Sequence, residues 1–449
     1  MMYMNDTIAA IATAPGPAGV CIVRISGNEA LQVADGLVPL TSHKPSRHER
    51  GTFFYADIVH PRTGEKVDDV LILVFRAPRS FTGEDVVEIQ GHGGTLPARL
   101  LLEAVLAAGA RHAEPGEFSK RAFLNGRLDL TQAEAICDFI QAKSERMAHV
   151  ARAQLDGRLG THMTALYEAV LAQGADVEHQ LDFDEGELSE RFVEQTAQAV
   201  QKILVELSRV LQSWNTEGHL LREGALVVLS GKPNAGKSSL LNAMLGRNRA
   251  IVHHIPGTTR DVIEENALVE GLPIRLVDTA GLRDTADDVE QEGIQRTHAL
   301  MKQADVNLHV LDATTATPEE VAATPRDQQS LCLLTKSDLL TDPIKYGDGV
   351  LLVSAKTGEG LAELGKAILS NLGVSRDAAG IEIVNQRHAQ EITTAHGCVE
   401  RALSLLYTRD LVLAANELRV AAEALGRITG RCYSEDLLEC IFSRFCVGK

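Results

Sequence analysis

Residues 231–238 read Gly231-Lys232-Pro233-Asn234-Ala235-Gly236-Lys237-Ser238, a complete G-x-x-x-x-G-K-[ST] loop. Only glycine lets a backbone turn tightly enough to aim several N–H groups at phosphate oxygens. Lys237 is spaced to reach the β- and γ-phosphates, and the Ser238 hydroxyl to bind Mg²⁺. The flanks agree with this reading. The apolar run Ala225-Leu226-Val227-Val228-Leu229 predicts a strand before the loop, and Ser239-Leu240-Leu241-Asn242-Ala243-Met244-Leu245 predicts a helix after it. That helix would point its N-terminal dipole at the phosphates.

Working outward, four more elements follow in order. Asp278-Thr279-Ala280-Gly281 comes after the expected strand Ile274–Val277. The Asp can hold the metal through water and the Gly281 N–H can meet the γ-phosphate. Between the two lies Gly257-Thr258-Thr259-Arg260-Asp261, a polar loop of switch type whose hydroxyl completes a Mg²⁺ shell only while the γ-phosphate is present. Thr335-Lys336-Ser337-Asp338 follows the strand Leu331–Leu334. The Asp338 carboxylate can accept two hydrogen bonds from the N–H and NH₂ edge of guanine, which adenine lacks. Ser354-Ala355-Lys356 follows the strand Val350–Val353 and would back the base. Together these five loops imply a GTPase domain of Ras-like type.

Two departures qualify that type. Leu282 stands where Ras-like enzymes carry a Gln that orients water, and Leu has no polar atom to do so. Acids follow at Asp284, Asp287, Asp288, Glu290 and Glu292, most of them expected to be solvated loop residues. Asn234 sits inside the phosphate loop with no Arg nearby in sequence, and its side-chain oxygen can help seat a monovalent cation.

The chain has 449 residues, 45% of them apolar, enough for two to four domains with real cores. No apolar run approaches the roughly 18–20 residues of a membrane span. The uncharged stretch Thr7–Val23 superficially suggests an export signal, but Asp6 stands where basic residues belong and Pro15-Gly16-Pro17 breaks the segment. Cysteines 21, 137, 332, 398, 432, 440 and 446 show no metal-binding spacing, and reduced thiols in the cytosol are expected. The net charge of −17 argues against an independent grip on nucleic acid. Asp176–Glu194 alone carries eight acids and one Arg, so RNA contact is expected to be local or shared with a basic partner.

Along the chain, residues 1–125 mix short β-type runs (Gly19–Ile25, Val70–Phe75, Val86–Ile89) with a helix near Leu96–Ala108, an α/β module. Residues 126–222 lose Gly and Pro and show helical spacing through Trp214. The GTPase pattern of alternating strands and helices fills 223–372, and helical periodicity resumes in 373–449. The expected fold class is therefore multidomain α/β plus all-α, a helical domain interrupted by an inserted P-loop GTPase domain. Helices on both sides of the insert would pack together. Ser434-Glu435-Asp436 predicts a last short helix to about Arg444, with Cys446-Val447-Gly448-Lys449 projecting beyond it. From the residues alone that Cys is either an inert thiol or one whose thiolate is favoured by Arg444 and Lys449. The tail is not a prenylation signal.

The chain resembles the MnmE (TrmE) family of tRNA-modification GTPases from end to end. The likeness rests on the GTPase motifs, Asp6-Thr7-Ile8-Ala9-Ala10, Arg24-Ile25-Ser26-Gly27, and Ser80-Phe81-Thr82-Gly83-Glu84-Asp85. Gln90-Gly91-His92-Gly93-Gly94, Pro115-Gly116-Glu117-Phe118-Ser119, Arg121-Ala122-Phe123-Leu124-Asn125 and the terminal tetrapeptide add to it.

The resemblance implies a partner, the flavin- and NADH-dependent MnmG (GidA), with FAD and NADH bound on that partner. Homodimers of this chain would join it in a heterotetramer. The pair would place an aminomethyl or carboxymethylaminomethyl group on the wobble uridine of certain tRNAs, using a one-carbon unit from methylene-tetrahydrofolate.

Folate-site positions carry over to Arg24, Glu88, Arg127 and Lys449 of the N-terminal domain, where Arg127 replaces the usual Lys. Arg24 and Glu88 also read simply as a surface ion pair. The resemblance further implies hydrolysis when two GTPase domains meet around K⁺. K⁺ contacts carry over to Asn234, His253, Ile255 and Thr258, within a nucleotide-contacting loop that also holds His254, Pro256, Gly257 and Thr259. Mg²⁺ falls to Ser238 and Thr259, and catalytic parts to Lys237, Glu290 and Cys446. His253 replaces a usual Thr, which a backbone carbonyl ligand tolerates. Thr335 replaces the common Asn of the guanine-reading motif and keeps a hydroxyl able to tie loops together.

Two other readings stay open on sequence: a ribosome-assembly GTPase, which normally adds a basic RNA-binding module, and a folate-binding scaffold whose GTPase is only a switch.

Overall fold

The computed structural model describes residues 6–39, 44–49, 51–183, 189–247, 264–278, 299–327, 329–340, 349–374 and 385–449. By contacts the chain forms two compact units, Met1–Cys137 with Gly426–Lys449, and Asp138–Leu425. By contacts the last 24 residues group with residues 1–137.

The first unit is built on β1 (Ile8–Ile11), β2 (Val20–Ser26), β3 (Thr52–Val59), β4 (Lys66–Phe75), β5 (Val86–His92) and β6 (Arg111–His112), in the order β3-β4-β5-β2-β1-β6. All neighbours are antiparallel except β1 and β6. Alternation decides the faces. Val23, Ile25, Ala56, Ile58, Val70, Ile72, Val74, Val87 and Ile89 point into a core closed by α1 (Ala30–Asp35) and α2 (Thr95–Ala107). The other face carries Arg24, Glu88 and the exposed Phe53 and Tyr55.

A second cluster joins α3 (Glu117–Leu124) and the start of α4 (Leu130–Ile140) to the terminal helix, through Phe123, Leu130, Ala133, Leu438, Ile441, Phe442 and Phe445. That apolar seam is what draws the chain's end onto its beginning.

In the second unit α5 (Glu145–Leu155), α6 (Arg158–Phe183), α7 (Glu190–Ser213) and α8 (His219–Glu223) lead into the GTPase sheet. A π-helical turn, Trp214–Gly218, separates α7 from α8. The sheet comprises β7 (Ala225–Ser230), β8 (Glu264–Val269), β9 (Leu272–Asp278), β10 (Val306–Asp312), β11 (Ser330–Thr335) and β12 (Leu351–Val353), ordered β12-β11-β10-β7-β9-β8. Only the β8–β9 hairpin is antiparallel. Between the strands run α9 (Lys237–Arg247), α10 (Pro318–Ala323) and α11 (Leu361–Asn371).

The unit closes with α12 (Gln386–Tyr407) and α13 (Leu411–Thr429). The helix before the insert packs along the helix after it, α7 against α12. Val193, Ala197, Val200, Leu207 and Val210 form the buried stripe of α7, and Ala389, Ile392, Val399, Ala402 and Leu406 that of α12. Val150 of α5 belongs to the core of the GTPase sheet itself, with Leu220 and Leu221 of α8.

The expected elements appear at their positions with ends shifted by one to four residues. Strands β1, β3, β6, β8 and β10 are additional to the sequence reading.

Candidate functional site

In a parallel sheet the strand C-termini share one edge, and a ligand crevice opens where the strand order reverses. Here β7 lies between β10 and β9, so the loop after β7 sits at that reversal. Gly231 begins it with φ +147°, and a Cβ there would fall 2.2 Å from the Val310 carbonyl, so no larger residue fits.

Lys237 is buried, and its ammonium donates to the Gly231 and Lys232 carbonyls at 3.0 and 2.9 Å. The ammonium is thereby drawn back over the loop. The Ser238 hydroxyl donates to Asp278 Oδ2 at 2.7 Å, joining the end of β7's loop to the end of β9. Hydroxyl and carboxylate oxygens at this spacing make a hard donor set suited to Mg²⁺. Asn234 and Ser239 are exposed, Ala235 is buried, and Gly236 takes φ +90°.

The guanine-reading segment closes on the same loop. Thr335 Oγ1 donates to the Ala235 carbonyl at 2.5 Å, so the hydroxyl spans the two loops. The Lys336 ammonium donates to the Asn234 carbonyl at 3.2 Å. The buried Ser354 hydroxyl donates to Asp338 Oδ1 at 2.7 Å and accepts the Thr357 N–H, orienting an otherwise exposed carboxylate. Ser337 is partly buried, Ala355 flanks Ser354, and Lys356 is exposed. His253, His254, Ile255, Pro256, Gly257, Thr258, Thr259, Thr279, Ala280, Gly281 and Glu290 lie outside the described residues.

A second polar site occupies the open face of the N-terminal sheet. One cross-strand row runs Phe53–Leu73–Glu88–Arg24 across β3, β4, β5 and β2. Arg24 grips Glu88 through Nε at 2.9 Å and Nη2 at 2.8 Å, both side chains only 15% exposed. The guanidinium stands 5.5 Å from the Phe81 ring centroid and 5.7 Å from that of Phe118. The pair is therefore a largely enclosed one rather than a solvated surface bridge.

Arg127 is exposed, and its Nε donates to the Ser80 carbonyl of the loop that carries Phe81. That loop is braced from behind. Ser26 Oγ donates to Glu84 and shares a hydrogen bond with Thr82, while Arg121 bridges Glu84, Glu117 and Asp6.

The C-terminal tail does not project. Cys446 accepts the Gly116 N–H on its carbonyl at 3.4 Å, and Gly448, with φ +95°, lies against β1. A Cβ on Gly448 would meet the Ile11 carbonyl at 2.4 Å. Lys449 is partly buried within reach of Arg24 and Glu88. Burial pushes its ammonium below the usual lysine range, Arg24 adds to the fall, and Glu88 and Cys446 oppose it. The Cys446 side chain itself is exposed.

Arg24 on β2, Glu88 on β5 and the chain terminus thus converge, which spacing alone does not show. Phe81 and Phe118 were visible only as members of quoted motifs, and the bracing carboxylate Glu84 likewise.

The sheet order and the loops at its edge define a P-loop guanine-nucleotide-binding protein joined to a helical segment and an N-terminal α/β unit. Residues 7–127 match the family model of the GTP-binding protein TrmE N-terminus, and residues 130–446 that of the MnmE helical domain. The tRNA modification GTPase MnmE of Symbiobacterium thermophilum is 44% identical over 459 residues, covering 99% of this chain and 100% of that one. Its counterpart in Desulforamulus reducens is 40% identical over 461 residues, with 99% and 100% covered.

The chain belongs to the MnmE family of tRNA modification GTPases. It is a GTP hydrolase that acts in tRNA modification, which sets aside the ribosome-assembly reading. The G domain of the T. maritima FeoB iron transporter is 28% identical over 33% of this chain and 98% of that chain, with a TM-score of 0.24. Among the described residues no helix is long and apolar enough to cross a membrane.

Proposed function

We propose that this chain is a cytoplasmic, K⁺-dependent GTPase that works as a homodimer with an MnmG-type flavoprotein to modify C5 of the wobble uridine in tRNA. The observation that carries the folate part is the convergence of Arg24, Glu88 and Lys449 beside Phe81 and Phe118. Two cations, one carboxylate and the partly exposed Phe81 ring, with the buried Phe118 backing Arg24, suit a flat, hydrogen-bonding heterocycle with an anionic tail, as in a tetrahydrofolate. Methylene-tetrahydrofolate supplies the one-carbon unit when bound. Arg24 and Glu88 orient it, Lys449 faces its negative charge, and Arg127 borders the site through the Ser80 loop. FAD and NADH belong to the partner.

Homodimerisation is supported by the open face that bears this site, where Phe53 and Tyr55 are each 70% exposed and Val20 58%. A heterotetramer then follows from one flavoprotein per protomer. The acidic chain leaves most tRNA contact to that partner.

At the GTPase site Ser238 and Thr259 hold Mg²⁺, and Lys237 binds the β- and γ-phosphates. Asn234, exposed in a left-handed turn with φ 63°, is oriented outward, with His253, Ile255 and Thr258 as the remaining K⁺ ligands. K⁺ there offsets transition-state charge as an arginine would. Glu290 orients the attacking water that Leu282 cannot, and Cys446 is the candidate thiol for C6 of the uridine.

The test is mass spectrometry of wobble uridines in a deletion strain, complemented with the wild-type chain or with Cys446→Ser. Unchanged modification in the deletion strain overturns the reading. Loss that Cys446→Ser restores discards the thiol role alone, leaving the tail a binding element. Equal GTP turnover in Na⁺ and K⁺ buffers discards the K⁺ site. Turnover of Glu290→Ala within tenfold of wild type discards its part in positioning water.

A further inference from the structure

Strand β10 ends in Asp312, to which neither the loop motifs nor the family likeness gives a part. Its side chain is 15% exposed, and both carboxylate oxygens are engaged. Oδ1 accepts the Thr314 N–H at 2.9 Å and its hydroxyl at 2.7 Å. Oδ2 accepts the Lys336 ammonium at 2.5 Å. Burial alone would raise this carboxyl, but the bonds from Lys336 and Thr314 outweigh it and hold the group below the usual aspartate range.

Lys336 makes its second bond to the Asn234 carbonyl of the phosphate loop, at 3.2 Å. Both Lys336 (φ 59°) and Asn234 (φ 63°) take left-handed backbone conformations. Asparagine tolerates that conformation, but a lysine holds it only where its surroundings over-determine it. Beside them Thr335 Oγ1 donates to the Ala235 and Leu311 carbonyls. At the loop's other flank Lys232 pairs with Glu320 of α10. The segment after β10 and the guanine-reading loop therefore grip three successive parts of the phosphate loop.

We propose that Asp312 is a positioning residue for guanine-nucleotide binding. It holds the Lys336 ammonium against the Asn234 carbonyl and so fixes the spacing between the base end and the phosphate end of the pocket. A lysine head is strongly hydrated and sits on a flexible stem. With Asp312 gone its one remaining partner of this pair is a neutral carbonyl, and the ammonium returns to water. Ordering the two loops then falls to the nucleotide, which lowers affinity. GDP and GTP share both ends of the pocket and lose equally. The Ser238–Asp278 end is untouched, while the Asn234 K⁺ contact is loosened with its loop, so KM rises by more than kcat falls.

The experiment is a double-mutant cycle on GDP and GTP affinity, using a fluorescent nucleotide analogue and the full-length chain. Asp312→Asn keeps the shape and an oxygen for Thr314 but removes the charge. It is expected to weaken both nucleotides about tenfold, within the range for a coupled contact pair, with a smaller fall in kcat. In a Lys336→Met background the same substitution is expected to change affinity less than twofold. An equal loss in both backgrounds, or a fall in kcat without loss of affinity, overturns the proposal. The cycle is also run with Asp312→Glu, which keeps the charge and lengthens the arm, and which decides the question if the Asn variant does not fold. Its expected loss is two- to threefold and again confined to the Lys336 background.

Discussion

In the sheet of residues 225–353 every strand but β8 runs parallel, so the polar loops emerge together at one edge. In the sheet of residues 8–112 all neighbours but β1 and β6 are antiparallel, and the polar cluster lies across a face. Its members come from residues 24, 81, 88 and 118 and from the last residue of the chain. Both sheets have six strands and similarly buried cores. They differ in what holds a functional group in place. At the parallel edge, position follows from local backbone turns. On the antiparallel face it follows from pairing register and from a tail docked far from its neighbours in sequence.

If that contrast is right, the two sites separate by mutation, and the largest separation comes at Asp338. Asp338→Asn replaces a double acceptor with a group that has one donor and one acceptor, mismatched to guanine and matched to xanthine. A site built to hydrogen-bond one edge rejects the wrong partner by about 10⁴-fold. GTP turnover is expected to fall on that scale and XTP turnover to appear, while binding of a reduced folate stays within twofold. Normal GTP turnover with no use of XTP would remove Asp338 from base reading. Parallel loss of folate binding would mean the two sites are not independent.

The second separation tests the brace behind the open face. Glu117 is buried and accepts from Arg111 and Arg121, and Asp6 pairs with the same two arginines. Burial raises the Glu117 carboxyl, but bonds from Arg111, the Glu114 N–H and Arg121 hold it below the usual glutamate range. With the folded value depressed, its stabilisation is fully present above about pH 4.5 and is lost as pH falls through the folded value. Glu117→Gln is expected to lower the stability of residues 8–124 by about 3 kcal/mol at pH 7 and to flatten that acid slope. Hydrogen exchange across β1 and β2 measures it. Fluorescence of Trp214, the single tryptophan, reports the other unit and should not move. Equal exchange rates in variant and wild type at pH 7 would show the network to be unnecessary.

Legibility in the sequence divides along the same line. Strands β7, β9, β11 and β12 and helix α9 were readable because each is an apolar run ending in a loop of fixed chemistry. Strand β1 was not, since Ile8-Ala9-Ala10-Ile11 is short, apolar throughout and without alternation, and its state is set by β2 and β6. Strand β3 lacked a clean pattern because Phe53 and Tyr55 are apolar on the exposed face. The pairing of Arg24 with Glu88 spans 64 residues and depends on a β2–β5 register that no local signal encodes. Docking of the tail depends on Gly448 fitting beside Ile11, 437 positions earlier in the chain by subtraction of those numbers. Local signals gave the terminal helix but not where its end lies.

The smallest expected effect concerns that tail. Lys449→Ala removes one cation from a site that keeps Arg24, so a reduced folate with an anionic tail is expected to bind about tenfold more weakly, the scale of one charge-assisted hydrogen bond. GTP turnover should stay within twofold. The pH dependence sharpens this further. Because burial lowers the folded value of Lys449, the ammonium is disfavoured in the free protein, and the unfolded chain binds more protons between the folded value and 10.5. Its burial therefore costs stability at neutral pH, and the cost is relieved as pH rises through the folded value. An anionic ligand reverses the balance by favouring the charged form, so binding takes up a proton where Lys449 is partly neutral. Affinity in the wild type should begin to fall at a pH below lysine's ordinary 10.5, and in Lys449→Ala that part of the slope should vanish. Calorimetry in two buffers of different ionisation enthalpy reads the proton directly. If both proteins show the same slope, the charge that meets the ligand is Arg24 alone and the tail serves only to close the face.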